Sequence, residues 1–217
     1  MRLAGTVRPV RGDATVTSLA RAIVQGDQAC VLGLLARAPE LALAYIAGGA
    51  TKPTAQEHFL DELRHVVYAG DTALHLAAAC YETDIARALS DAGASVAAAN
   101  RRGAQPLHYA VDGGPANARW NPPAQRRIVL CLLQLGADPN AFDKNGTTPL
   151  HRAVRNRCAA AVEALLDGGA DPHATNRSGS TAVQLAHWAT GRGGTGSTEA
   201  RTQQQDILRL LHAAGAA

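Results

Sequence analysis

Residues 146–154 read GTTPLHRAV. A glycine able to take a positive φ, a threonine hydroxyl that can cap a helix and a proline suited to the first helical turn describe a tight turn feeding a helix near Pro149. Local chemistry alone leaves His151 without a role. Recurrence supplies the context: GDTALHLAA begins at Gly70, GAQPLHYAV at Gly103 and GSTAVQLAH at Gly179, so the four copies stand 33, 43 and 33 residues apart. A second marker follows each copy, as GASVAAAN at Gly93, GADPNAFD at Gly136, GADPHATN at Gly169 and a terminal Gly215-Ala216. A degenerate fifth copy lies upstream, where the residues from Leu19 align without gaps to those from Leu74 at an offset of 55.

Between the two markers apolar residues recur at i and i+4: Cys30, Val31, Leu34 and Leu35; Ile85, Ala86 and Leu89; Ile128, Val129, Leu132 and Leu133; Ala161, Val162, Leu165 and Leu166; Ile207, Leu208 and Leu211. Each set is the stripe of a second helix, which the glycine of the second marker ends. One such unit cannot bury its stripe alone, so neighbours must stack. Aromatic residues make up only 4% of the chain, and small aliphatic side chains suit thin layers of closely approaching helices.

The 33-residue period, the Gly-x-Thr-Pro-Leu-His turn and the Gly-Ala-Asp ending resemble the ankyrin repeat. The resemblance covers residues 12–217 as five units carrying insertions of 22, 10 and 13 residues. It implies an all-α solenoid of about five helix-turn-helix repeats with short β-hairpin fingers, repeats falling near 16–42, 70–102, 103–145, 146–178 and 179–217 after a poorly ordered lead at 1–15. It also implies that His75, His108 and His151 share one structural position, each ring hydrogen-bonded across the turn to neighbouring backbone. The last unit places Gln184 there, and the first and fifth units read as caps.

The insertions are where the chain departs from the pattern. The first contains TAQEHFLDELRHVVY; Thr54 with Glu57 forms a capping box, and Phe59, Leu63, Val66 and Val67 share a helical face, which predicts an extra helix at about 54–67. It would carry His58, Asp61, Glu62 and His65, but a Glu-x-x-His pair needs matching ligands from other helices to hold metal, so a solvated or partner-binding polar face is expected instead. The second and third insertions, GGPANARWNPPAQ at 113–125 and GRGGTGSTEA at 191–200, interrupt the junctions between first and second helices and should project from one edge. Trp120 is either a partner anchor or a plug folded back on that edge. The glycine-rich 191–197 lacks the Lys-Ser/Thr ending and preceding strand of a phosphate loop, leaving a flexible connection or a weak anion site before a last helix capped by Ser197 or Thr198.

Composition narrows the function classes. The net charge of +3 gives no reason to expect nucleic acid as a partner, and no apolar run approaches the roughly 18 residues of a membrane span. Cys30, Cys80, Cys131 and Cys158 form no CxxC pair, so reduced thiols are expected in place of a disulfide or zinc framework. The expectation is a cytoplasmic monomer with neither metal nor cofactor.

The family grips partners on a concave face made of finger tips and exposed first-helix positions. Here the resemblance assigns Tyr68, Ala69, Arg101, Arg102, Lys144, Asn145, Arg177 and Ser178 to the fingers. It assigns Ala79, Cys80, Asp112, Gly113, Arg155, Asn156, Trp188 and Ala189 to the helices. Arg101, Arg102, Lys144, Arg155 and Arg177 form a basic stripe bounded by Tyr68 and Trp188, with Asp112 the one acid among these positions. A non-catalytic module binding one protein partner, with an acidic or phosphorylated patch, is the leading reading. The alternative is ligand, anion or nucleic-acid binding, or catalysis, at the loop 191–197 or the inserted helix 54–67.

Overall fold

The backbone of Thr148 is extended, its hydroxyl accepts the amide of His151, and Pro149 then starts a seven-residue helix. Gly146 takes the positive φ, 66°, that the opening stretch requires. The same event recurs along the computed structural model, which describes residues 14–47, 59–60, 65–117, 120–188 and 196–216.

Five helix pairs result. They are α1 (Ala14–Gln25) with α2 (Gln28–Arg37), α3 (Ala73–Cys80) with α4 (Thr83–Asp91), α5 (Pro106–Ala110) with α6 (Pro122–Gln134), α7 (Pro149–Arg155) with α8 (Ala159–Asp167), and α9 (Ala182–His187) with α10 (Thr198–Ala213). A 3-10 turn, Pro39–Leu43, follows α2. First helices pack on first helices, second on second, and the members of each pair on each other. The predicted stripes form the core: Val31, Leu35, Ile85, Leu89, Ile128, Leu132, Val162, Leu165, Ile207 and Leu211 are all buried. Cys30, which the spacing puts in the first stripe, is exposed instead. Each buried Leu or Ile contributes about 1.5–3 kcal/mol, spread through a thin layer two helices deep.

The second helices α4, α6, α8 and α10 end alike. Gly136 takes φ 92° and the next amide, of Ala137, donates back to Leu132. Gly93, Gly169 and Gly215 repeat this, because a left-handed residue lets the chain fold over the last carbonyls without a Cβ clash.

The fingers are shorter than the β-hairpins expected. Two backbone bonds close each: Asn100 N to Ala104 O, Asp143 N to Thr147 O and Asn176 N to Ser180 O, all at 3.0 Å, and returning bonds from the Gly103, Gly146 and Gly179 amides to the Asn100, Asp143 and Asn176 carbonyls at 2.8–2.9 Å. The predicted helix at 54–67 is corrected: Phe59–Leu60 and His65–Val66 are antiparallel strands, with Phe59 opposite Val66. The apolar spacing there is helical, but backbone pairing prevails over the period. Residues 54–58 and 61–64 lie outside the described residues, as do 1–13 of the lead and 191–195 of the third insertion. The last helix begins at Thr198 with Ser197 as its cap, the side chain accepting the amide of Ala200.

Candidate functional site

The turns are built from histidine outward. His75, His108 and His151 are at most 1% exposed. In each, Nδ1 accepts the amide of the residue before the helix, from Thr72 at 3.1 Å, Gln105 at 3.2 Å and Thr148 at 3.2 Å. Nε2 is then the protonated nitrogen, and it donates to the backbone of the following unit, at Ala104 O (3.1 Å), Thr147 O (3.0 Å) and Ser180 O (3.0 Å). The threonine hydroxyls at 72 and 148 add contacts to Nδ1 at 2.9 and 2.7 Å, while Gln105, which replaces threonine in the third unit, leaves its Oε1 buried and unpartnered. Burial pushes His108 down to about 4 and also lowers His151. Gln184 imitates half of the arrangement, its Oε1 accepting the amide of Thr181 at 3.0 Å.

These turns aim the finger tips. The side-chain Oδ1 of Asn100 accepts the amides of Arg102 and Ala104, Asp143 those of Asn145 and Thr147, and Asn176 those of Ser178 and Ser180, at 2.8–3.1 Å. Adjacent fingers are bonded in identical register, Arg101 N to Ala69 O (2.7 Å), Lys144 N to Arg102 O (2.9 Å) and Arg177 N to Asn145 O (3.0 Å). Arg101, Lys144 and Arg177 therefore occupy one column, with Tyr68 one finger earlier. Arg101, Arg102, Lys144, Asn145 and Arg177 are exposed, as is Arg155 on α7. At one end Arg102 lies over the Tyr68 ring, its guanidinium carbon 5.1 Å from the ring centre, and donates to the phenol oxygen at 3.3 Å. Trp188, which ends α9, is 53% exposed.

Two sequence-assigned residues sit differently. Asp112 is held by Arg152, whose guanidinium also bonds Asp143, both at 3.0 Å. Burial opposes ionisation of both Asp143 and Arg152, yet bonds from Thr147 N, Arg152 and Asn145 N lower the Asp143 pKa, and the two carboxylates raise that of Arg152. The acid of the stripe is thus part of a half-buried ion cluster. Trp120 is half-buried and packs on the core, with its indole N–H donating to Gln125 Oε1 at 2.8 Å, so the plug describes it and the displayed anchor does not. The cause is the short α5: the carbonyls of its last residue, Ala110, and of Gly113 beyond it are met by the Gln125 amide, and that of Val111 by Asn156. Gly113 and Gly114 allow this closure, since a Cβ would stand 1.8 Å from the Tyr81 hydroxyl and from Asn156 O respectively.

Four features escaped the sequence reading. Arg152 occupies a column otherwise filled by Leu76, Tyr109 and Leu185, all buried, and an arginine among them was the available signal for a buried ion cluster. Tyr81 and Arg157 take φ of 64° and 61° in the column where the first unit has Gly26, a conformation costing a non-glycine residue about 1–2 kcal/mol. Arg157 offsets it by donating to Ala186 O and Trp188 O at the end of α9. Tyr109, in the core, donates to Asp71 Oδ1 at 2.7 Å and receives the Asn100 amide, tying two fingers together. Phe142, 56% exposed beside Asp143, adds an apolar side chain to the third finger that no periodic argument marked.

Among the described residues there is no cluster of three His, Cys, Asp or Glu able to hold a metal ion, and no helix long and apolar enough to cross a membrane. Burial pushes the Cys158 thiol up to about 11, so it carries no nucleophile.

Comparison with known proteins agrees with this architecture. Residues 132–186 match the family described as ankyrin repeats (many copies), and residues 69–101 the single ankyrin repeat. The human protein fem-1 homolog A is 39% identical over 70 residues, 31% of this chain and 10% of that protein. Mouse ankyrin repeat and SOCS box protein 16 is 40% identical over 98 residues, 44% of this chain and 20% of that protein. The tyrosine-protein kinase Shark of Drosophila melanogaster is 35% identical over 98 residues, 45% of this chain and 9% of that protein. The chain thus spans a tenth to a fifth of the length of these relatives, which share with it the repeat array. Ankyrin repeats generally mediate protein–protein interaction. With its turn histidines bridging successive units, its left-handed helix ends and two matching segments in the family, this chain is an ankyrin-repeat protein.

Proposed function

We propose that the chain is a non-catalytic binding module that grips an acidic segment of a partner protein along its finger tips. The observation that carries this is the column Arg101, Lys144 and Arg177, exposed, fixed by Asx turns and set in register by backbone bonds. Arg102 and Arg155 widen the column, and Tyr68 and Trp188 flank it with aromatic surface of the kind enriched in interface cores. Pinned backbone lowers the ordering cost of binding, and one sign of charge speeds encounter with the other. A solvated surface also displays Arg and Lys, but alignment at one equivalent atom of three successive units goes beyond scattered solubilising charge.

The test is surface plasmon resonance with a partner captured from the native host, at two salt concentrations. Changing Arg102, Lys144 and Arg177 to Glu together should weaken binding about 10-fold or more at low salt, mostly through slower association. A triple change of Arg37, Arg127 and Arg201, exposed on second helices, should leave it unaltered. Wild-type affinity in the finger variant would remove the finger face from consideration.

A further inference from the structure

Resting on the reading that the finger face takes an acidic segment, we propose the form of that segment: a polyproline II stretch with an acidic residue at every third position. The argument is one of spacing. Within each finger the two limbs are joined by a backbone bond, and each finger is joined to the preceding one by another, Arg101 N to Ala69 O, Lys144 N to Arg102 O and Arg177 N to Asn145 O. Backbone segments bonded in this way lie about 4.8 Å apart. One unit therefore advances two such spacings, about 9.6 Å, and the column from Arg101 to Arg177 spans roughly 19 Å.

A polyproline II helix repeats every three residues and rises about 3.1 Å per residue, so positions i, i+3 and i+6 share a face at steps of about 9.3 Å. Six residues cover roughly 18.6 Å, matching the column from end to end. A β-strand fails because its third residue points to the opposite face, and the same-face steps of about 6.7 and 13.4 Å miss the cations. An α-helix with acids at i, i+7 and i+14 advances about 10.5 Å per step and slips by roughly 2 Å over the span. The polyproline form also loses little entropy on binding, and its rings suit aromatic surface, which Tyr68 supplies one finger before Arg101.

The experiment is fluorescence anisotropy at low salt with three labelled peptides: four repeats of Glu-Pro-Pro, a peptide of identical composition with its four Glu contiguous, and an Ala-rich helix bearing Glu at every seventh position. The periodic proline peptide should bind at least fivefold tighter than either other, and Arg101→Gln, Lys144→Gln and Arg177→Gln should each weaken it by similar factors of about two to five. Equal binding of the three peptides, or preference for the contiguous or helical one, would overturn the spacing while leaving the acidic reading intact if the Arg102, Lys144 and Arg177 to Glu variant still loses them. Binding of none, or binding indifferent to that charge reversal, would sink the acidic reading along with the spacing.

Discussion

Lowering the pH should loosen the array at the junction of the third and fourth units, through His108. Burial, the largest influence, and the nearby Arg152 guanidinium push its pKa from 6.5 down to about 4, against weaker opposition from the bond to Thr147 and from Asp143 and Asp112. Nδ1 accepts the Gln105 amide, so a second ring proton would break that bond as well as place a charge in the core. Between pH 6.5 and 4 the unfolded chain binds the proton and the native chain does not. The stability owed to the neutral ring is therefore fully present above pH 6.5 and is lost as pH falls to 4. At about 1.4 kcal/mol per pH unit, that window corresponds to roughly 3 kcal/mol. The control comes from the last unit, where Gln184 keeps the amide bond without titrating. Urea unfolding followed by circular dichroism at pH 7, 6, 5 and 4 should show His108→Gln less stable than wild type at pH 7 by about 1–2 kcal/mol, for the lost bond to Thr147. The two should become equal near pH 5 and then reverse, other titrating groups being common to both. Parallel stability curves would refute the assignment of a neutral, buried, bridging ring.

Gln105→Thr should stabilise the protein by about 1 kcal/mol, because it removes a buried unpaired oxygen and restores the hydroxyl contact to Nδ1 made by Thr72 and Thr148; a thermal melt would read it. Arg157→Gly should relieve the left-handed strain yet leave Ala186 O and Trp188 O without the guanidinium, a net loss of roughly 1–2 kcal/mol, with hydrogen exchange rising first in α9. Trp120→Ala should cost about 2–3 kcal/mol in chemical denaturation, as loss of a packed, hydrogen-bonded ring, where an exposed anchor would cost almost nothing.

The helix pairs, their buried stripes and their glycine ends were legible because each is written several times, and a pattern seen in register outweighs any single propensity. The finger column was legible for the same reason, since equivalent positions could be counted from the turn motif. What repetition could not reveal was how one unit completes another. Trp120 read equally as anchor or plug because the Ala110 carbonyl that Gln125 satisfies is freed by the end of α5, a boundary visible only once the helix is seen to stop there. Asp112 looked like a lone surface acid because its partner, Arg152, is 40 residues away. The segment 54–67 had no second copy against which to test its period.

The histidine bridges all point the same way along the chain. His75 is satisfied by a carbonyl 29 residues later, His108 by one 39 residues later and His151 by one 29 residues later. During synthesis each unit thus emerges holding a donor whose acceptor has not yet been made. A nascent chain halted before Thr147 would keep the His108 ring in its turn with one nitrogen facing solvent, so every truncated product carries an unfinished end. Gln184, whose amide oxygen bonds within its own turn, holds that turn without such a debt.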